Sequence, residues 1–250
     1  MPDDPGTPSA SRVRPVPEAM ADRLIVALDV PSIGQARALV ERLSPTVSFF
    51  KIGLWLAFAE GVDGLIGDLV RRGLKVFLDC KMYDIGQTVQ EGVARAADRG
   101  VSFVTVHGDA AILESAVRGK GGSAVKIFAV TVLTSLGDRE LHEMGYRLTA
   151  QELVQLRVGI AVQQGCDGVI ASASDNPEAI RREAGAPGLL IATPGVRPAG
   201  RAADDHRRSA TPGQAIADGA DYLVVGRPVI GSPDPLASAR SIIREMQGEA

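Results

Sequence analysis

The chain has 250 residues, 45% of them hydrophobic, and a formal net charge of −3. That length suits one large globular domain, and an α/β barrel is commonly about this size. The mild acidity offers no sequence-independent attraction to nucleic acid or a membrane surface, and no apolar run approaches the roughly 20 residues that span a bilayer.

Residues 1–20 carry five prolines and little apolar periodicity, so they read as a disordered leader ahead of a domain at 21–250. They lack the basic stretch and apolar core of a secretory signal. Short β-rich runs then recur at 24–29, 47–52, 75–80, 102–107, 125–132, 168–172, 189–193 and 222–226. Amphipathic segments of helical length alternate with them near 33–44, 57–72, 84–99, 109–118, 149–164, 175–184, 211–218 and 235–247. Alternation of this kind implies βαβ crossovers and a parallel sheet. A weak internal repeat supports it. Gly73, Gly100, Gly165 and Gly219 each sit where a helix should stop, and an apolar strand follows within about three residues. Eight strands and eight helices favour a single-domain (β/α)8 barrel over an open doubly wound sheet. The open dinucleotide fold also wants a glycine fingerprint after its first strand, and Asp29-Val30-Pro31-Ser32-Ile33 has none.

In such a barrel, active groups gather at the C-terminal ends of the strands. Here those ends carry Asp29, Lys51, Asp79 with Lys81, His107, Thr134-Ser135, Thr193-Pro194-Gly195-Val196-Arg197-Pro198 and Gly226-Arg227. The richest stretch is Asp79-Cys80-Lys81-Met82-Tyr83-Asp84, where an apolar strand meets the next helix. Strand alternation makes Asp79 and Lys81 project together, roughly 6–7 Å apart at Cβ, with Leu78 and Cys80 on the other face. Lysines and carboxylates alternating in one dry site shift one another's protonation, and a lysine held between carboxylates can serve as a general acid. Structural readings compete at each position. Asp79–Lys81 suits a structural ion pair, Asp84 a helix N-cap, and Asp29 and His107 caps of neighbouring helices. Lys51 could snorkel to solvent and Arg227 could be a surface charge. Arg227 lies, however, where barrels often bind phosphate, and the segment 195–208 is long enough to be a lid or binding loop.

No Ser-His-Asp or Cys-His grouping and no phosphate-cradling GxxxxGK[ST] loop is evident. A metal at Asp79 and Asp84 would have to share its space with the Lys81 cation. The histidines show no zinc-ligand spacing, and Cys80 and Cys166 read as free thiols in a reducing cytoplasm.

Segments 24–30, 50–53, 77–85, 130–135, 193–198 and 221–228 together resemble the orotidine 5′-phosphate decarboxylase family. The most specific part is the D-x-K-x-x-D-I-x-x-T string from Asp79 to Thr88, followed in order by the TPG-x-RP and VVGRP strings. The resemblance spans roughly residues 22–245. It implies cofactor-free, metal-free decarboxylation of orotidine 5′-phosphate to UMP, the last step of de novo pyrimidine synthesis. It implies Lys81 as proton donor to C6, Asp79 facing the substrate carboxylate, and Lys51 and Asp84 completing the charge network. Asp29 and Lys51 would hold the ribose hydroxyls, Thr134 and Ser135 would lie near the base, and Arg197, Gly226 and Arg227 near the phosphate. It further implies a cytoplasmic homodimer in which Asp84 and Thr88 reach the neighbour's site. Two alternatives stay open: an Mg²⁺-dependent sugar-phosphate decarboxylase or synthase of the same superfamily, and a non-catalytic nucleotide-binding barrel.

One departure from the family pattern stands in the phosphate loop, where a glutamine is usual and this chain has His206. Histidine also donates a hydrogen bond, and adds positive charge when protonated. If His206 grips the phosphate, KM rises with pH between about 5.5 and 8 in the wild type. The rise flattens in His206→Gln, and superimposable KM profiles would remove the idea.

Overall fold

The computed structural model describes residues 14–198 and 210–249. Eight parallel strands close into one barrel in sequence order. They are β1 (Leu24–Ala27), β2 (Phe49–Gly53), β3 (Lys75–Met82), β4 (Phe103–His107), β5 (Lys126–Val130), β6 (Gly168–Ile170), β7 (Leu190–Pro194) and β8 (Tyr222–Val225). The helices are α1 (Ile33–Leu43), α2 (Leu54–Ala57), α3 (Val62–Arg71), α4 (Gly86–Asp98), α5 (Ala110–Lys120), α6 (Asp138–Glu143), α7 (Ala150–Gln163), α8 (Pro177–Glu183), α9 (Pro212–Ala217), α10 (Arg227–Ile230) and α11 (Pro235–Met246). Parallel neighbours leave no room for hairpins, so every return runs through a crossover on the outside of the sheet.

Strand alternation divides the apolar residues into two cores. Leu24, Val26, Phe50, Ile52, Val76, Val104, Ile127 and Ile191 face outward and pack under the helices. Ile25, Phe49, Phe77, Phe103, Phe128, Leu190 and Tyr222 face inward. The inner set forms an aromatic layer around Phe103, whose ring centroid lies 4.8 Å from Phe49, 5.9 Å from Phe77, 4.4 Å from Phe128 and 5.1 Å from Tyr222. This layer plugs the barrel, so anything in the upper half sits in a blind cavity open only at the C-terminal rim.

The repeat glycines do what their positions suggest: Gly73, Gly100, Gly165 and Gly219 have φ of 72°, 72°, 76° and 98°. Each follows a helix in the left-handed conformation that glycine adopts without a Cβ penalty. The helix expected at 57–72 begins only at Val62, as α3, after Gly61 at φ 87°, and the single turn α2 stands ahead of it. The short helices α6 and α10 carry too few turns for a periodic signal. Of the 1–20 leader, residues 1–13 lie outside the described residues. Beyond them, Arg14 pairs with Asp221 at 3.1 Å and Val16 packs against the inner core, at the end opposite the rim.

Truncating the centre of the aromatic layer should be costly. Phe103→Ala is expected to lower unfolding free energy by about 3–5 kcal/mol, read from the shift in urea midpoint. A shift equivalent to less than about 1 kcal/mol would mean that the layer is not the floor of a packed core.

Candidate active site

Above the aromatic layer the inward positions turn polar. β1 runs out into Asp29, β2 contributes Lys51, β3 contributes Asp79 and β4 contributes Thr105. Lys51 and Asp79 are each only 8% exposed and Thr105 is fully buried. Lys51 Nζ lies 3.2 Å from Asp29 Oδ1 and 3.3 Å from Asp79 Oδ2. Lys81 Nζ lies 2.8 Å from Asp79 Oδ1. Asp79 thus stands between two ammonium groups, one on each oxygen. Burial by itself would push its carboxyl up. The two lysines, with hydrogen bonds from Lys81 and Thr105, outweigh burial and hold it below the ordinary carboxylate range. A Cβ at position 53 would come within 2.8 Å of Asp29 Oδ1 and 3.1 Å of Lys51 Nζ. Glycine ends β2 there because the Asp29–Lys51 pair occupies that space.

Asp79 and Lys81 do project together, but not by regular pleat. Leu78 pairs with Val104 and Met82 with Val106, so four steps on β3 span two on β4. The two extra residues form a bulge, and within it Lys81 has φ 46°. A non-glycine residue held in that region costs of order 1–3 kcal/mol, a conformation concentrated at functional sites. Cys80 turns away and packs beside the outer core. Burial, then the neighbouring Asp79, push its thiol up, so it stays protonated near neutrality.

The cavity at this rim holds about 530 Å³. Its walls bring together Asp29, Lys51, Asp79 and Lys81 on one side, and Thr134, Arg197, Gly226 and Arg227 on the other. Ala27, Phe77, Val130, Ile170 and Val224 line its floor. Ser135, Asp84 and Thr88 do not line it. All three are exposed. Asp84 is not the N-cap of α4: that position belongs to Ile85, and the Asp84 carboxylate accepts a 2.7 Å hydrogen bond from the Ile85 N–H. His206 lies outside the described residues, as does the whole of the segment 199–209. Arg197, buried, anchors the near end of that segment: its N–H donates to Ala210 O at 2.9 Å.

Strand-end reasoning missed two groups. Thr105 sits between Phe103 and His107 in the same inward register, so its parity was the available signal. Arg157 on α7 had none. Its guanidinium, buried behind the rim, donates to Thr131 O at 2.6 Å and to Tyr146 Oη at 3.2 Å. Burial first, and Arg157 second, lower the pKa of His107, whose ring lies 4.9 Å from that of Tyr83.

Residues 22–242 match the family described as orotidine 5′-phosphate decarboxylase / HUMPS. This chain belongs to that family. The orotidine 5′-phosphate decarboxylase of Rhodopseudomonas palustris (strain BisA53) is 47% identical over 232 residues, covering 93% of this chain and 97% of the relative. The orotidine 5′-phosphate decarboxylase of Caulobacter vibrioides (strain NA1000 / CB15N) is 46% identical over 228 residues, covering 90% and 97%. Among solved structures, the orotidine 5′-phosphate decarboxylase of Lactobacillus acidophilus superposes with a TM-score of 0.78 at 35% identity, covering 90% of this chain and 99% of that one. An uncharacterized conserved protein from Geobacillus kaustophilus gives 0.76 at 31% identity, covering 89% and 99%. The family match spans all eight strands, so the whole rim just described falls within it.

Proposed function

We infer that this protein decarboxylates orotidine 5′-phosphate to UMP and CO2 in pyrimidine biosynthesis. The observation that carries the reading is the Lys51–Asp79–Lys81 cluster at the mouth of a blind cavity, in a chain whose curated relatives bear that enzyme's name. Loss of CO2 breaks a carbon–carbon bond and leaves the electron pair on C6 of the pyrimidine. Lys81 is assigned the proton that this carbon takes up, and solvent returns a proton to its amine. A cation already oriented at C6 stabilises developing charge without reorganising during the reaction. Asp79 is assigned to the substrate carboxylate, where like-charge repulsion disappears as CO2 departs. Asp29 and Lys51 are assigned to the ribose hydroxyls. Thr134 and Ser135 are assigned to the base, and Arg197, His206, Gly226 and Arg227 to the phosphate. Both oxygens of Asp79 already meet ammonium groups, a donor set that favours metal-free chemistry over the Mg²⁺-dependent relatives.

The working unit in this reading is a homodimer with shared sites. Leu54, Trp55, Phe58, Tyr83 and Ile85 are large apolar side chains between 54% and 83% exposed. They follow the ends of β2 and β3 and flank Asp84 and Thr88, which are exposed and outside the lining of their own cavity. Leu54, Trp55 and Phe58 also line a second hollow that reaches Asp29, Asp79 and Lys81. An exposed apolar patch bordering an ionic site suits a second copy. Two free thiols, Cys80 and Cys166, suit the reducing cytoplasm.

Loss of absorbance by orotidine 5′-phosphate should survive EDTA in the wild type and fall by roughly 10³-fold or more in Lys81→Ala. Turnover abolished by EDTA would point to the metal-dependent reading, and tight UMP binding without turnover to a sensor. Mixing Lys81→Ala with Asp84→Ala subunits provides the dimer test. Hybrid dimers carry one intact site, so about a quarter of wild-type activity should return. No recovery after verified subunit exchange would exclude shared sites.

A further inference from the structure

We propose that Thr105 is a positioning residue for this reaction, acting through one hydroxyl on both Asp79 and Lys81. The inference rests on the decarboxylase reading above and adds a residue that does not itself line the cavity.

Thr105 Oγ1 donates to Asp79 Oδ1 at 2.8 Å and accepts from the Lys81 backbone N–H at 3.0 Å. The side chain is fully buried, so no solvent competes for either bond. The two bonds have a fixed sense. An amide N–H can only donate, so it takes a lone pair of the hydroxyl and leaves the hydroxyl proton for the carboxylate. A donor held in that way favours the ionised form of Asp79.

The second bond answers a backbone problem. The bulge in β3 takes the Lys81 N–H out of the regular β3–β4 ladder. An amide buried without a partner is costly, and Lys81 already sits at φ 46°. The Thr105 hydroxyl replaces the missing ladder acceptor and so keeps Lys81 in the conformation that returns its ammonium to Asp79. Valine at 105 would fill the same volume with neither bond.

The charged groups facing Asp79 are Lys51 from β2 and Lys81 from β3. Asp29 lies beyond Lys51 at the end of β1, and β4 contributes His107 farther up the rim. None of these supplies the bond that Thr105 makes. The sign of the pH effect follows. Losing a donor to the carboxylate raises its pKa, so activity that needs ionised Asp79 fails at a higher pH as the solution is acidified.

Thr105→Val is expected to lower kcat/KM by about 10–100-fold and to move the acid limb of the kcat/KM profile to higher pH, while inhibition by UMP, which lacks the carboxylate, changes by less than about threefold. Thr105→Ser should restore both the rate and the limb. Thr105→Ala carries the same test if the valine variant fails to fold. Wild-type kcat/KM with an unmoved acid limb in the variant that folds would overturn the proposal, as would a deficit that serine does not repair. A wild-type protein without turnover would overturn the decarboxylase reading itself.

Discussion

A carboxylate buried between two ammonium groups is the interaction on which the rest of this rim depends. Taking Asp79 and Lys51 out of water is expensive, and removing one partner of such a group strands the others. The fold meets that cost with close geometry: each Asp79 oxygen has its own lysine, and Thr105 adds a neutral donor. The same demand shapes the neighbours. Gly53 has no side chain because Asp29 and Lys51 fill its space, and the aromatic layer below closes the cavity floor.

The Lys81 ammonium meets Asp79 across an interruption of the β3 pleat and not through regular strand geometry. Two side chains on one face start about 6–7 Å apart at Cβ. The β3 bulge interrupts that regular pleat and holds Lys81 in a strained conformation at φ 46°. Strain of this kind persists only where surrounding contacts over-determine it. Here those contacts are the parallel ladders on both sides of β3 and the hydrogen bond from the Lys81 N–H to a buried hydroxyl.

The cavity is chemically two-ended. Alternating charges stand on the β1–β3 side, and hydroxyl and guanidinium groups stand on the β5–β8 side. That division suits a substrate whose reacting group and phosphate lie far apart, with remote binding energy used for orientation at the reacting carbon. Five of the exposed large apolar residues, Leu54, Trp55, Phe58, Tyr83 and Ile85, fall on the β2–β3 flank, next to the charged end. In the proposed dimer, the subunit boundary therefore runs beside the chemistry.

Much of the barrel was legible in the chain. Eight short β-rich runs alternate with helical segments, and Gly73, Gly100, Gly165 and Gly219 mark where four of the helices stop. Each of those is a local signal, written in neighbouring residues. So is the order of Asp29, Lys51, Asp79, Lys81, Thr134, Arg197 and Arg227 at the strand ends, because a closed parallel barrel sends every strand end to one rim. The start of α3 only at Val62, the bulge at 79–81 and the burial of Arg157 were not legible, since each depends on what a distant segment presents. Thr105 shows the boundary most clearly. Its inward parity can be counted along β4, but its role exists only because the bulge on β3 brings a carboxylate and an orphaned amide to the same hydroxyl. Sequence determined which groups reach the rim, through periodicity and chain order; tertiary structure decided which touch, because that rests on register between strands far apart in the chain.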